Sequence, residues 1–336
     1  MAEELYPLKM KPFLSERVWG GTKLAAYGKE IPPGGHIGES WEISGHRDGL
    51  STVADGPLSG KSIPELISEF GADLLGTCVS AEKPFPLLVK ILDAGAQLSV
   101  QVHPSDEYCA QHGLTDPGKP EAWLVLEAEP GARIWRGLEE GTTRGKFEEL
   151  LAAGKLADCL HSFEVQAGDC VDLPAGTVHA IGAGIVLAEV QQTSDLTYRV
   201  FDWNRLGLDG KPRQLHVSEA LATIDWDTLG GATLGDKVTP RECECEGSSC
   251  RKLVANKKFE MDDRVLDGIS GIPTDAERFT CVVFLEGTGE VRWGDDRRAA
   301  QKGSSFLVPA CTTGVHVVPE GTCRILVARP AVGPMA

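Results

Sequence analysis

VLEAEPGARIW, residues 125–135, returns in altered form as VFLEGTGEVRW at 283–293. Each copy reads as two short apolar strands around a turn, with Gly131 matching Gly289. Each is followed by a glycine, five residues and a proline: Gly168 to Pro174 in the first copy, Gly303 to Pro309 in the second. From Gly131 to Gly168 is 37 residues, whereas from Gly289 to Gly303 is 14. The extra 23 residues match one helix with its connections. A repeat of this kind predicts two related β-barrels in tandem, the first with a short helical insertion around residues 138–162.

The flanking sequence agrees. PLLVKILD (86–93), QLSVQV (97–102), EAWLVLEA (121–128), CVDLP (170–174), IVLAEVQQ (185–192) and LTYRVFD (196–202) read as strands with turn residues between them. FTCVVFLEG (279–287), GEVRW (289–293), SSFLVPA (304–310), GVHVVP (314–319) and CRILVAR (323–329) form a second set. Three stretches read as helices: SIPELISEFGADLLG (62–76), RGKFEELLAAGKLADCLH (144–161) and HVSEALATID (216–225). In the first, Ser62 stands as N-cap and Ile63, Leu66, Ile67, Phe70 and Leu74 share one face. The expected division is an N-terminal barrel over 1–225, a connection over 226–258 and a C-terminal barrel over 259–336. The fold class is mainly β.

Of 336 residues, 33 are Lys or Arg and 49 Asp or Glu, a net charge of −16. That balance offers no basic stripe to neutralise phosphates, so nucleic acid is not expected as a partner. An anionic ligand would need a local cationic pocket to overcome the overall field. No apolar run approaches the ~18 residues of a membrane span, and the acidic start MAEELYPLKMKPF lacks the apolar core of a secretory signal. A cytoplasmic location is expected, with most of the ten cysteines acting as small buried hydrophobes. The exception is RECECEGSSC: Cys243, Cys245 and Cys250 read as a polar surface loop in preference to a metal site, because C-x-C-x4-C is not a familiar zinc spacing.

The chemistry concentrates in the first barrel. Gln101 and His103 share one face of an alternating strand, Glu121 opens the strand after the turn PGKP, and His179 follows Gly168-x5-Pro174-x-Gly176-x2. Two histidines and a carboxylate, with room for an amide oxygen and water, suit a catalytic divalent metal. The Gly-Pro-Gly-His spacing resembles the second half of the double motif of cupin barrels, so both barrels are expected to be cupin-like jelly rolls. In the second, Gly314 stands where the repeat would place His179, which leaves that copy short of a ligand.

QLSVQVHPSDEY, GKPEAW, LPAGTVHAIGAG and QQTSDLTYRVFD, in this order and with these spacings, resemble type I mannose-6-phosphate isomerases of the short bacterial form. FLSERVWGGTKL and IGESWEISGH resemble the same family. The resemblance implies a zinc-dependent aldose–ketose isomerase, with one Zn2+ per chain, interconverting mannose 6-phosphate and fructose 6-phosphate. Residue by residue it makes His103, Glu121 and His179 zinc ligands, with Gln101 a fourth ligand or near neighbour. Arg199 matches the family's catalytic arginine. Lys90, Ser99, Lys119 and Glu189 match polar active-site positions.

Such a reaction moves a proton between C1 and C2 through a cis-enediol, which needs charge stabilisation at the oxygens and a general base. Glu189, Lys119 and His46 are open as that base. Arg199 is expected on a strand antiparallel to the one carrying Glu189, holding phosphate or enediolate oxygens. Lys90 and Glu189 have a plainer alternative as buried ion-pair partners. Asp195 and Asp202 read as turn or surface groups, and Trp41 and Trp123 as core. Two other classes stay open at this point: a metal-dependent cupin enzyme of another activity, and a sugar-phosphate-binding cupin without catalysis. No feature of the sequence sets an oligomeric state.

Overall fold

A computed structural model describes residues 4–227, 235–245 and 247–332. Four antiparallel sheets stack in layers. A five-stranded sheet runs in the order Leu160–Glu164, Arg133–Leu138, His179–Ile181, Val100–Val102, Tyr198–Phe201. Facing it is a seven-stranded sheet whose centre is Cys170–Leu173, Glu121–Ala128, Ile185–Gln192, Leu87–Ala94, Phe13–Gly21 and Ile37–His46. Together they form the first barrel. An eight-stranded sheet and a four-stranded sheet form the second.

The repeat read from sequence is reproduced strand for strand. Glu121–Ala128 lies between Cys170–Leu173 and Ile185–Gln192, just as Thr280–Glu286 lies between Ser305–Val308 and Cys323–Pro330. Where the second barrel has the strand Asp296–Gln301, the first has the helix Arg144–Ala152, a short 3-10 turn and the strand Leu160–Glu164. The helix starts at Thr143, whose side chain accepts from the Lys146 amide. The helix Ile63–Phe70 starts as its sequence predicts: Ser62 and Glu65 form a capping box that satisfies amides otherwise left without partners.

The side-chain period of two makes the site. Along Leu87–Ala94, Leu87, Val89 and Ile91 enter the core shared between the two barrels, leaving Lys90 and Leu92 to point into the first barrel. On Ile185–Gln192, Val186, Ala188 and Val190 take the shared core and Glu189 the barrel interior. On Glu121–Ala128, Ala122 and Leu124 take the core, and Trp123 and Val125 the interior with Glu121. These near-continuous apolar strands are buried on both faces, so each polar residue in them is held at a defined place in the barrel.

Two readings need correction. Residues 241–255, expected within a connection, form two strands, Arg241–Cys245 and Ser248–Ala255, at one edge of the eight-stranded sheet. The N-terminal strand Leu8–Lys11 also joins that sheet, beside Ser305–Val308, because Leu8 and Met10 are apolar and find their core there. Cys243, Cys245 and Cys250 accordingly lie on a strand hairpin in place of a polar loop. Cys250 is fully buried and bonded to Cys243. Among the described residues no helix is long and apolar enough to cross a membrane.

Candidate active site

Gln101 is the pivot of the five-stranded sheet. It is in register with His179 on one side and Arg199 on the other, so the three side chains form a row facing into the barrel. Arg199 therefore lies in the sheet opposite Glu189, not on a strand pairing with it, and reaches the cavity from the facing wall. Gly176 shapes the approach to His179. Its φ of +85° suits glycine, its amide donates to the His103 carbonyl at 2.8 Å, and a Cβ would come within 3.0 Å of Asp225. Gly118 does the same before Lys119 and Glu121, where a Cβ would lie 2.5 Å from the Asp106 amide.

His103, Glu121 and His179 come together, all buried, with ligand atoms within 4.8 Å of one another. Nδ1 of His103 is 2.8 Å from the Leu196 carbonyl and Nδ1 of His179 is 2.9 Å from the Thr177 carbonyl. A carbonyl only accepts, so both Nδ1 atoms carry the proton and both Nε2 atoms present lone pairs. Those Nε2 atoms face Glu121, at 3.5 and 3.2 Å. Both Glu121 oxygens are buried; the Lys119 ammonium lies 3.1 Å from Oε2, and Oε1 has no hydrogen-bond partner. Acceptors turned on one another in a dry interior repel, and a divalent cation between them removes that repulsion. The residues fit a metal.

The surrounding charges sharpen this. Lys119 sits 3.1 Å from Glu121 and donates to His103 Nε2 at 3.3 Å. Burial opposes ionisation of Glu121, yet the Lys119 ammonium beside it holds its carboxyl well below the usual carboxylate range. Burial, with Lys119 beside it, pushes His103 down to about 3, which keeps the ring neutral and able to ligate. Gln101 places its amide 3.2 Å from His179 Nε2, and half a turn of that amide would direct its oxygen to the same point.

In front of this cluster opens a cavity of about 640 Å³. Lys90, Ser99, Gln101, Lys119, Glu189 and Arg199, six of the residues singled out from sequence, line it. Lys90 and Glu189 are in register on adjacent strands and form a buried ion pair of 3.1 Å, the plainer of their two readings, while both line the cavity. Glu189 also accepts from the Trp123 indole at 2.8 Å. Lys90 lies 5.0 Å over the Trp41 ring, and its ammonium is held above its usual range because Glu189 and Glu39 outweigh the cost of burial. Trp41 and Trp123 are thus core residues that also brace the charged wall. His46 is buried against Asp116 at 3.0 Å and is absent from the residues lining the cavity.

Arg17, Glu39, Asp195 and Arg213, none of them read from sequence as site residues, also line the cavity. Arg17 pairs with Glu39 at 2.9 Å, and burial of that carboxyl is more than offset by Lys90 and Arg17, holding it at about 2. Asp195, read as a turn group, faces the cavity. Asp202, read as a surface group, is buried and holds Arg205 and Arg213. Arg199 donates through Nη1 to the Gln214 carbonyl at 2.9 Å, while its buried Nε has no partner. Burial and the nearby Arg213, Arg205 and Arg17 lower it from its ordinary value, as expected where several guanidiniums share one pocket. No local sequence signal separates Arg17 or Arg213 from surface arginines; only the barrel closure brings them here.

Residues 7–122 match the catalytic domain of type I phosphomannose isomerases. Mannose-6-phosphate isomerase ManA of Bacillus subtilis is 34% identical over 303 residues, covering 90% of this chain and 93% of that protein. A mannose-6-phosphate isomerase of Streptococcus mutans is 36% identical over 90% of this chain and 92% of its own length. The crystal structure of the mannose 6-phosphate isomerase from Bacillus subtilis superposes with a TM-score of 0.88 at 30% identity, covering 96% of this chain and 99% of the other. With that likeness extending over nearly the whole chain, and not over one barrel alone, the protein belongs to the type I phosphomannose isomerase family.

Proposed function

We propose that the protein interconverts D-mannose 6-phosphate and D-fructose 6-phosphate through a cis-enediol, with zinc held by His103, Glu121 and His179 and with Gln101 as a fourth ligand. The observation that carries this reading is the pairing of an acceptor-only cluster with a cavity that gathers five cationic side chains in a chain of net charge −16. Lys90, Lys119, Arg17, Arg199 and Arg213 supply cations to that cavity, whose lining also holds Glu16, Glu39, Glu189, Asp195 and Asp209, and these cations would hold the phosphate of a sugar phosphate. The relatives' names supply the sugar.

Zinc, when bound, would act as a Lewis acid that polarises the sugar carbonyl. The remaining steps fall to the chain. Glu189 takes the proton from one carbon and returns it to its neighbour, being a buried carboxylate at the cavity wall whose Oε1 is ion-paired with Lys90. Lys90 and the Trp123 indole fix that carboxylate in place. Lys119, an ammonium, supports negative charge as it develops on the sugar oxygens. Arg199 offers a rigid fork to enediolate or phosphate oxygens from the opposite wall. Ser99, buried on the cavity edge, and Lys90 contribute to substrate binding.

Turnover of mannose 6-phosphate in deuterated water tests the reading. Deuterium at C1 of the fructose 6-phosphate formed, or at C2 of recovered mannose 6-phosphate, is the expected result. Absence of any isomerised product with the zinc-loaded protein would overturn it.

A further inference from the structure

Three of the chain's ten cysteines fall within the eight residues 243–250, and the isomerase site uses none of them. The hairpin gathers them. Cys243 is directly opposite Cys250, with Cα atoms 5.1 Å apart, and Cys245 follows two residues on, on the same face as Cys243. All three sulfurs lie within 4.8 Å of one another. A cation making three bonds of about 2.3 Å to thiolates needs sulfurs about 4 Å apart, a spacing this hairpin nearly presents.

We propose that the hairpin, when reduced, binds one thiophilic d10 dication through Cys243, Cys245 and Cys250. A second observation supports a charged ligand set there. Arg264 is in register with Cys250 on the next strand and only 5% exposed, and its Nε has no hydrogen-bond partner. Three thiolates around a dication carry one net negative charge, beside a guanidinium whose Nη atoms are held by Asp262 and the Gly271 carbonyl and whose Nε alone is left to face it. Soft sulfur donors select such a cation over the hard ions that a carboxylate pocket would prefer. The strand Arg241–Cys245 is the edge of the eight-stranded sheet, so the cation would clasp that edge to its neighbour.

The Cys243–Cys250 disulfide and the cation compete for the same sulfurs. Reduction by a dithiol delivers two electrons and two protons to the disulfide and oxidises the reductant to its own disulfide. The three thiols then release three protons as the dication binds.

Cd2+ is the probe, because its thiolate charge-transfer absorption cannot arise from the sulfur-free His103, Glu121 and His179 cluster. The full chain is reduced with a dithiol, freed of it anaerobically and titrated. The absorption is expected to saturate at one equivalent, to be lost in Cys245→Ser and Cys243→Ser, and to persist in Cys311→Ser, which removes an exposed free thiol. If the serine variants fail to fold, alkylation of the wild-type chain replaces them: cadmium should protect residues 243, 245 and 250 and leave Cys311 reactive. No absorption after complete reduction, absorption unchanged by Cys245→Ser, or a disulfide that resists reduction in the folded chain would each overturn the proposal.

Discussion

Replacing Arg199 by Ala separates substrate chemistry from metal binding. The guanidinium makes one hydrogen bond to the chain, Nη1 to the Gln214 carbonyl at 2.9 Å, worth about 1 kcal/mol of stability net. It touches none of His103, Glu121 or His179 through any hydrogen bond or ion pair seen in the site. The variant should therefore fold and keep its zinc. Arg17, Arg213, Lys90 and Lys119 still line the cavity, so phosphate binding should survive in large part. What is lost is a preorganised fork aimed at developing charge, and losses of that kind run to about 10²–10³ in turnover, or about 3–4 kcal/mol. Steady-state rates of fructose 6-phosphate formation, read by a coupled assay alongside metal content, measure this. Lys restores the charge without the planar fork, so Arg199→Lys should recover only part of kcat. A rise in KM alone, with kcat intact, would make Arg199 a uniform binder of phosphate and refute its role in the reaction. Loss of zinc would make it structural.

His179→Ala should lose metal and activity together, as elemental analysis and the same coupled assay would show; full zinc with normal turnover would refute the ligand set. Glu39 predicts an acid limit: its folded value, about 2, lies below the ordinary 4.5, so its contribution is complete above about 4.5 and is lost as pH falls towards 2. The difference amounts to about 3 kcal/mol, and Glu39→Gln should flatten the fall in urea-unfolding stability across that window. Ser62→Ala removes the reciprocal cap of Ile63–Phe70 and should cost about 1 kcal/mol by the same measurement. Glu189→Gln, isosteric but unable to take a proton, should abolish deuterium incorporation while leaving the metal in place.

Much of this was legible because the barrel strands report their own faces. The repeated glycine and proline spacing located corresponding strands, and alternation put His103, Glu121 and His179 where a closing barrel would converge them. Residues whose position depends on distant strands were not legible. Arg17 reaches the cavity because Phe13–Gly21 pairs with Ile37–His46, and Asp202 is buried because Arg205 and Arg213 fold back on it. The Cys243–Cys250 hairpin was hidden for a related reason: CEC and SSC carry little apolar signal, and Ser248–Ala255 forms by pairing with the long strand Phe259–Leu266 while Arg241–Cys245 pairs in turn on Ser248–Ala255. The strand Leu8–Lys11 shows the limit of reading along the chain, since one of its two sheet partners, Ser305–Val308, lies almost three hundred residues away.

The central claim is that a metal at His103, Glu121 and His179 makes this chain a mannose-6-phosphate isomerase. Its most direct test is the rate of fructose 6-phosphate formation by chelator-stripped protein as zinc is restored stepwise, in protein whose cysteines 243, 245 and 250 have been replaced by serine. The account predicts negligible turnover in the stripped protein and a linear rise that stops at one zinc per chain. Full activity without metal, or a fully loaded protein with no activity on mannose 6-phosphate, would contradict it.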